Sequence, residues 1–407
     1  MHRSELFLMV VCCLLIAVNP ALSQVWTQTT APTNYWNSIA ASADGNRLVA
    51  TVYGGGIYSS TDSGKTWKPT GAPSGVPWTT VASSADGTKL VAAAFYKYPI
   101  YLSTNSGISW STNGPGGDWQ SVACSSDGKK LVAVANENGS IYTSTNAGIT
   151  WRQAANAPSN FWQSVACSAD GNKMVAAVGG SLTAGPIYVS ADSGTTWKPA
   201  DSAPSNIWQC VASSADGNKL VAVSCLDLPA VGGSIFTSTN SGLTWISNNI
   251  PSEPWSWVVS SADGTKLTAV AYSWHFSSNS GFTYSGGIFA STNSGATWTQ
   301  TIGPSNFWLC VATSADGNKS VTAVSSGGIY RSQATPTPQM NIGFYNQNLT
   351  LSWLIPSTPF VLQQNSDFTT TNWVTVTNIP MLNLTTLQHN IMLSPSNSSC
   401  FYRLATP

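Results

Sequence analysis

Seven tryptophans stand at one fixed distance from seven Asp-Gly turns. Trp36, Trp78, Trp119, Trp162, Trp208, Trp255 and Trp308 each precede, by eight residues, the Asp of such a turn: Asp44, Asp86, Asp127, Asp170, Asp216, Asp263 and Asp316. Three residues after each Asp comes a base: Arg47, Lys89, Lys130, Lys173, Lys219, Lys266 or Lys319. The tryptophans are 42, 41, 43, 46, 47 and 53 residues apart. A self-similar period of that size requires units that each leave a hydrophobic face for a neighbour to cover, so the chain must stack or close on itself.

Each unit breaks into four short β-like runs. In the third unit they are 119–125, 130–135, 140–144 and 150–153, rich in Val, Ala, Tyr, Thr and Trp and separated by Gly, Asn and Asp. That is the pattern of antiparallel strands joined by hairpins, and no window holds a helical period. The sequence therefore predicts an all-β chain whose repeat is one four-stranded blade, seven of which make a ring.

A second motif recurs six times between the third and fourth runs: 60–67 (STDSGKTW), 103–110 (STNSGISW), 144–151 (STNAGITW), 190–197 (SADSGTTW), 238–245 (STNSGLTW) and 291–298 (STNSGATW). On these residues the chain resembles Asp-box (BNR-type) β-propellers, a group with sialidases, xyloglucanases and photosystem assembly factors of the Ycf48/HCF136 kind. The resemblance covers residues 25 to about 332. It implies a seven-bladed propeller in which the Asp or Asn accepts backbone hydrogen bonds inside the turn. No seventh box follows 329–332; instead VWTQTTAPTNYW (25–36) echoes TWTQTIGPSNFW (297–308). The first strand is thus expected to complete the last blade by pairing with residues 328–332, which hides an open edge.

The flanks read differently. Arg3, an apolar run over 6–18 and Ala21-Leu22-Ser23 predict a secretory signal at 1–23, with secretion, periplasm or cell surface as destination. No later run reaches the roughly 20 apolar residues of a spanning helix. After the propeller (24–332), QATPTPQ (333–339) is a Pro/Thr linker, and strand-like runs in 340–407 suggest a small β-sandwich. Charged residues are 8% of the chain and the net charge is zero, while seven of the sixteen bases sit at the repeated turns. A nucleic-acid partner, which needs a clustered basic face, is not expected. Of the six cysteines outside the signal, Cys124 and Cys167 share one slot and Cys210 and Cys310 another. They read as buried thiols, with Cys210–Cys225 as the best disulfide candidate.

In an up-and-down blade the Asp-Gly turns and the boxes lie on one face. The second-to-third loops and the connections between units lie on the other. Length is inserted only on that second face, at 179–185, 224–233 and 272–287. Loops on a rigid frame carry binding residues. Candidate ligand contacts are therefore Asp227, Trp255, Trp257, Trp274, His275, Phe276 and Tyr284, with Phe282 and the Tyr96-Lys97-Tyr98 stretch expected nearby. The leading tryptophans read either as wedges between units or as an aromatic collar at the channel mouth, and the sevenfold repetition favours wedges.

Enzymatic readings find little. Sialidases clamp a carboxylate with three converging arginines, whereas this propeller has Arg47, Arg152 and Arg331, with Arg47 at a turn and no R-I-P motif. Glycoside hydrolysis needs two facing carboxylates, and the unrepeated acids that could reach the loop face are Asp118, Asp201, Asp227 and Glu253. His275 stands alone, so neither a triad nor a metal site is supported, and no cofactor is expected. The sequence therefore points to a monomeric exported propeller that binds a glycan or an extracellular protein. The alternatives are a hydrolase using loop acids and an assembly scaffold.

Overall fold

The computed structural model describes residues 24–405 except 137–138, 181–183, 227–231, 278–280, 334–339, 346–347, 356–359, 367–369, 371 and 394–399. The signal expected at 1–23 and residues 334–339 of the expected linker lie outside the described residues, while Gln333 ends the strand Ile329–Gln333. All regular structure among the described residues is β.

Each leading Trp opens a four-stranded antiparallel ladder. In the one led by Trp119 the strands are Trp119–Cys124, Leu131–Ala135, Ile141–Ser144 and Arg152–Gln153, in sequence order. Ladders led by Trp36 and Trp78 join into one sheet, because Leu48–Gly55 runs on to pair with Val76–Ser83. The ladder led by Trp308 takes its fourth strand from the start of the chain: Thr27 lies opposite Arg331 and Gln28 opposite Tyr330. Trp26 anchors that strand by donating from Nε1 to Thr301 Oγ1 at 2.9 Å.

The second strand of a ladder is buried on both faces, because another ladder lies on either side. Leu131–Ala135 is buried throughout, which explains runs of Val and Ala where a half-exposed strand would alternate. All seven leading tryptophans are 0% exposed. Each meets an aromatic ring of its own third strand edge-on (Tyr58, Tyr101, Tyr142, Tyr188, Phe236, Phe289 and Tyr330), with centroids 4.8–5.5 Å apart. They are wedges between ladders; replacing one by Ala would cost about 3–5 kcal/mol.

At the other end of the first strands, backbone hydrogen bonds run round the whole ring. The N–H of Ala43 donates to Ala85 O, Ala85 to Ser126, Ser126 to Ala169, Ala169 to Ala215, Ala215 to Ala262, Ala262 to Ala315, and Ala315 back to Ala43, at 2.7–2.8 Å. The repeated bases reinforce the same junctions. Lys319 Nζ donates to Asn46 Oδ1 (2.7 Å), Lys266 to Asn318 Oδ1 (2.6 Å) and Lys173 to Asn218 Oδ1 (2.6 Å), each crossing to the following unit. Their stems pack under the next turn: a Cβ on Gly87, whose φ is +70°, would lie 2.8 Å from the Arg47 stem. Glycine is thus required there twice, for backbone conformation and for space.

Within each of these turns the carboxylate is consumed locally. Asp44 Oδ1 accepts from Ser42 Oγ at 2.6 Å and from Asn46 N at 2.9 Å. Burial pushes this carboxyl up, but the hydrogen bonds outweigh it and leave the group below the ordinary aspartate range. The third-to-fourth strand turns use the same device. Asp62 accepts from Thr66 N (2.9 Å) and Thr66 Oγ1 (2.6 Å), and Ser60 Oγ accepts from Gly64 N (2.9 Å). Positive φ is not confined to glycine in these turns: Ser63 (59°) precedes Gly64 (80°), and the pair recurs in every copy.

Residues 340–405 add a four-stranded and a three-stranded sheet around Leu351, Trp353, Leu362, Ile391, Leu393 and Leu404. The end of one ladder, where Ile355 N donates to Leu387 O, seats Ile355 against the alanine ring, with Leu354 and Leu387 packed beside it. Behind it lies a cavity of about 180 Å³ lined by Ala, Ser, Cys124, Cys167 and Leu387. None of the six described cysteines forms a disulfide. The expected Cys210–Cys225 disulfide is not formed: Cys210 donates to Val258 O at 3.5 Å and Cys225 accepts from Gln209 Nε2 at 3.1 Å. Burial pushes the Cys167 thiol up to about 12 and raises Cys124 as well.

Two outcomes are expected. Ile355→Asp combined with Leu387→Asp should unseat this stopper, so that a small maleimide labels Cys124 and Cys167, read by peptide mass spectrometry; protection equal to wild type would mean the stopper does not shield them. Six of the repeated turn aspartates, and Asp62 and Asp192, titrate below the ordinary 3.8 in the folded state. Their contribution is complete above that value and is lost as pH falls through the folded values. The melting temperature should therefore stay level, as far as these groups govern it, from neutrality to about pH 5, then fall steeply below about pH 4.

Candidate functional site

The two faces differ in what they leave free. On the Asp-Gly face the carboxylates bond into their own turns, the bases cross to their neighbours, and the channel mouth holds Ile355. The opposite face carries the loops, and its rim is built from the residue after each leading Trp. Asn37 Nδ2 donates to Trp78 O and Thr79 O (3.1 Å each), Thr79 Oγ1 to Trp119 O (2.7 Å) and Ser256 Oγ to Trp308 O (2.8 Å). Gln163 and Gln209 bond each other at 3.3 Å, while the shielded Gln120 Oε1 meets no donor.

The sequence-predicted residues separate into three groups. Trp255 has no exposed surface and stacks edge-on with Phe289, so it is a packing residue and not a surface contact. Trp257 is half-buried and packs against the clusters around Trp36, Trp255 and Trp308. Its counterparts are small: Ser38, Thr80, Ser121, Ser164, Cys210 and Cys310. The hydroxyls among them accept the N–H of a valine in the next unit, as Ser38 does from Val81 at 3.2 Å. Reaching three successive clusters places Trp257 at the inner wall of the ring, not on the loops.

The third group lies in the longest insertion. Ser273–Ser277 pairs with Gly281–Ser285 in a two-stranded hairpin that sets Trp274 opposite Tyr284, His275 opposite Thr283 and Phe276 opposite Phe282. Its root is fixed where the Tyr272 ring lies 4.4 Å from that of Phe307. Asp227 falls outside the described residues.

A second aromatic group, around the Tyr96 that sequence reasoning placed beside that hairpin, stands two to three units away round the ring. The pairing of Trp36 with Val52 puts Tyr35 opposite Tyr53, where Tyr53 N donates to Tyr35 O at 2.9 Å. Tyr53 pairs in turn with Pro77, whose carbonyl accepts from Phe95 N at 3.2 Å. Tyr35, Tyr53, Pro77 and Phe95 therefore stand side by side across the joined sheet. Tyr96 closes the group, with its hydroxyl 3.5 Å from that of Tyr53 and its ring 6.3 Å from Phe95. Tyr35, Tyr53 and Tyr96 are 64%, 43% and 68% exposed. Sequence analysis missed Tyr35 and Tyr53, although an aromatic just before a leading Trp and another just after the second strand are the signal for such a pair.

The turn that presents Tyr96 is strained. Tyr96 and Lys97 have φ of 63° and 61°, a conformation unfavourable to residues with a Cβ. Asp118 Oδ1 holds them by accepting from Tyr96 N at 2.7 Å and Lys97 N at 3.2 Å. Gly116 leaves the room, since a Cβ there would lie 2.6 Å from Lys97 O. Asp118 is thus a positioning residue. Of the other loop acids, Asp201 is exposed, and burial pushes the Glu253 carboxyl up.

No family model matches the sequence, and no curated protein matches it. Among solved structures the fold is similar to YCF48 bound to D1 peptide (TM-score 0.55, 16% identity, covering 77% of this chain and 97% of that one). It is also similar to YCF48 from Cyanidioschyzon merolae (0.55, 16%, 76% and 98%). A third likeness is the GH74 xyloglucanase from Xanthomonas campestris (0.57, 16%, 81% of this chain), of which this chain spans 59%. These likenesses show the fold, a β-propeller.

Asp118→Ala should lower stability by about 1–2 kcal/mol in urea unfolding, because two amides lose a charged acceptor. Lys97→Gly in that background should recover part of the loss, since glycine accepts the positive φ. No recovery would show that strain at Lys97 is not what Asp118 opposes.

Proposed function

We propose that the chain is an exported, seven-bladed Asp-box propeller that binds a glycan or protein ligand through its loop face. Residues 24–332 form the propeller, 333–339 the linker and 340–407 a stopper module. The observation that carries this reading is the asymmetry of the faces. One mouth is filled by Ile355 and its turn carboxylates are committed to their own loops; the other has unrepeated loops and three exposed tyrosines. Exposed aromatic surface with few charges suits sugar rings or partner side chains. The peptide in the YCF48 complex and the glycan specificity in the xyloglucanase's name are compatible with either ligand class. Hydrolysis is the weaker reading, because Asp118 works as a backbone acceptor. The raised Glu253 carboxyl is its one support, with Asp227 outside the described residues.

The faces can be tested by blocking them. With Cys225 and Cys400 changed to Ser, a bulky maleimide-polymer placed through Ser159→Cys on the loop face should abolish binding to a glycan array or to an extracellular protein fraction. The same polymer placed through Ile149→Cys on the box face should leave binding intact. The reverse result would move the working site to the box face. Replacing 273–285 by a short Gly-Ser turn should leave the melting temperature near wild type, because surface loop length costs little, and its effect on binding reports the share of the hairpin.

A further inference from the structure

We propose that Tyr35, Tyr53 and Tyr96 form a preorganised platform for a neutral glycan, with Asp118 as its positioning residue. This rests on the loop face being the working face and names the ligand class for one part of it.

Three observations converge. Tyr35 lies opposite Tyr53 by backbone pairing, one step of about 4.8 Å away, and the turn after Leu90–Ala94 brings the Tyr96 hydroxyl 3.5 Å from that of Tyr53. That step is close to the length of one pyranose unit, so a sugar chain can lay successive rings along the group. At other junctions the match is a single bridge, such as Gly139 with Asn160 or Gly185 with Asn206; among the described residues the sheet continues only here. The platform is also built at a cost. Two consecutive residues with side chains are held at positive φ by one carboxylate, and three tyrosines face water. Strain maintained at a surface by specific contacts marks a feature kept for recognition rather than for stability.

Chemistry selects the ligand. Asp118 Oδ1 is taken by two amides, and Asp118 and Lys97 are single charges of opposite sign beside the rings. An anionic or cationic ligand therefore finds no matched cluster. The Tyr53 and Tyr96 hydroxyls stand 3.5 Å apart and either one can be the donor. Such a pair suits the vicinal hydroxyls of a sugar, which donate and accept together, while the flat ring faces suit its C–H surfaces. An extended peptide would present carbonyls to one hydroxyl and would need a free strand edge for its amides, whereas the strand that carries Tyr53 is paired on both sides.

The test is affinity electrophoresis of the full chain in gels containing xyloglucan, mixed-linkage β-glucan, galactomannan or dextran. At least one should retard the wild type. Tyr53→Ala with Tyr96→Ala should weaken that retardation about tenfold or more while the melting temperature holds. Tyr53→Phe with Tyr96→Phe should weaken it less, because the rings remain. Asp118→Ala should also weaken it, and Lys97→Gly in that background should restore it, which a purely structural role for Asp118 elsewhere would not produce. Wild-type retardation by the double alanine variant, or no retardation of wild type by any of the four, would overturn the platform. If the protein lacking 273–285 lost binding while the double alanine variant kept it, the loop face would stand and the platform alone would fall.

Discussion

The ring of backbone hydrogen bonds from Ala43 round to Ala315 and back is the constraint on which the rest depends. Each bond is worth only about 0.5–1.5 kcal/mol net. Its importance is that every one joins a different pair of neighbours, so the circle is complete only when each unit meets the next and the last meets the first. The seven positions are six alanines and a serine, small side chains that leave room at the inner mouth for Ile355. The bases that cross between turns, the tryptophan wedges and the borrowed strand at Thr27–Gln28 all act on the same junctions. An open sheet would leave an edge to template aggregation; here the start of the chain fills it.

That closure divides the molecule by face. Where the chain turns tightly, the same carboxylate and serine contacts recur in each unit and leave little polar capacity for a ligand. The mouth on that side receives Ile355, with Leu354 and Leu387 beside it. On the other side the connections vary, and variation is tolerated because the frame beneath is already complete. The tyrosine group and the 273–285 hairpin are two results of that freedom, two to three units apart. Trp257 shows the same freedom inside the wall, where it replaces a small residue that elsewhere links one unit to the next.

The repeat, the strand boundaries, the buried tryptophans and the returning first strand were legible because each is written locally and then rewritten. Any one copy is weak, but seven in phase are not. What escaped reading has a common cause. Tyr35 and Tyr53 are eighteen positions apart and become a pair only once Trp36 is opposite Val52. Asp118 looks like a solvated loop acid until the turn it holds, twenty-two positions earlier, is seen at positive φ. Trp255 and Trp257 looked equally available for a ligand, because the sequence does not show which neighbour each side chain meets.

By itself, then, the sequence determined the unit and the way its ends meet, since hydrogen-bonding turns and alternating burial are short-range requirements. Tertiary structure alone decided which face stays open, because that depends on where residues 354–355 and 387 dock. It also decided which loop residues stand together, because their spacing is set by ladders that pair distant segments. The physical reason is the same in both cases: local chemistry fixes what each unit is, and only packing between units fixes what each unit faces.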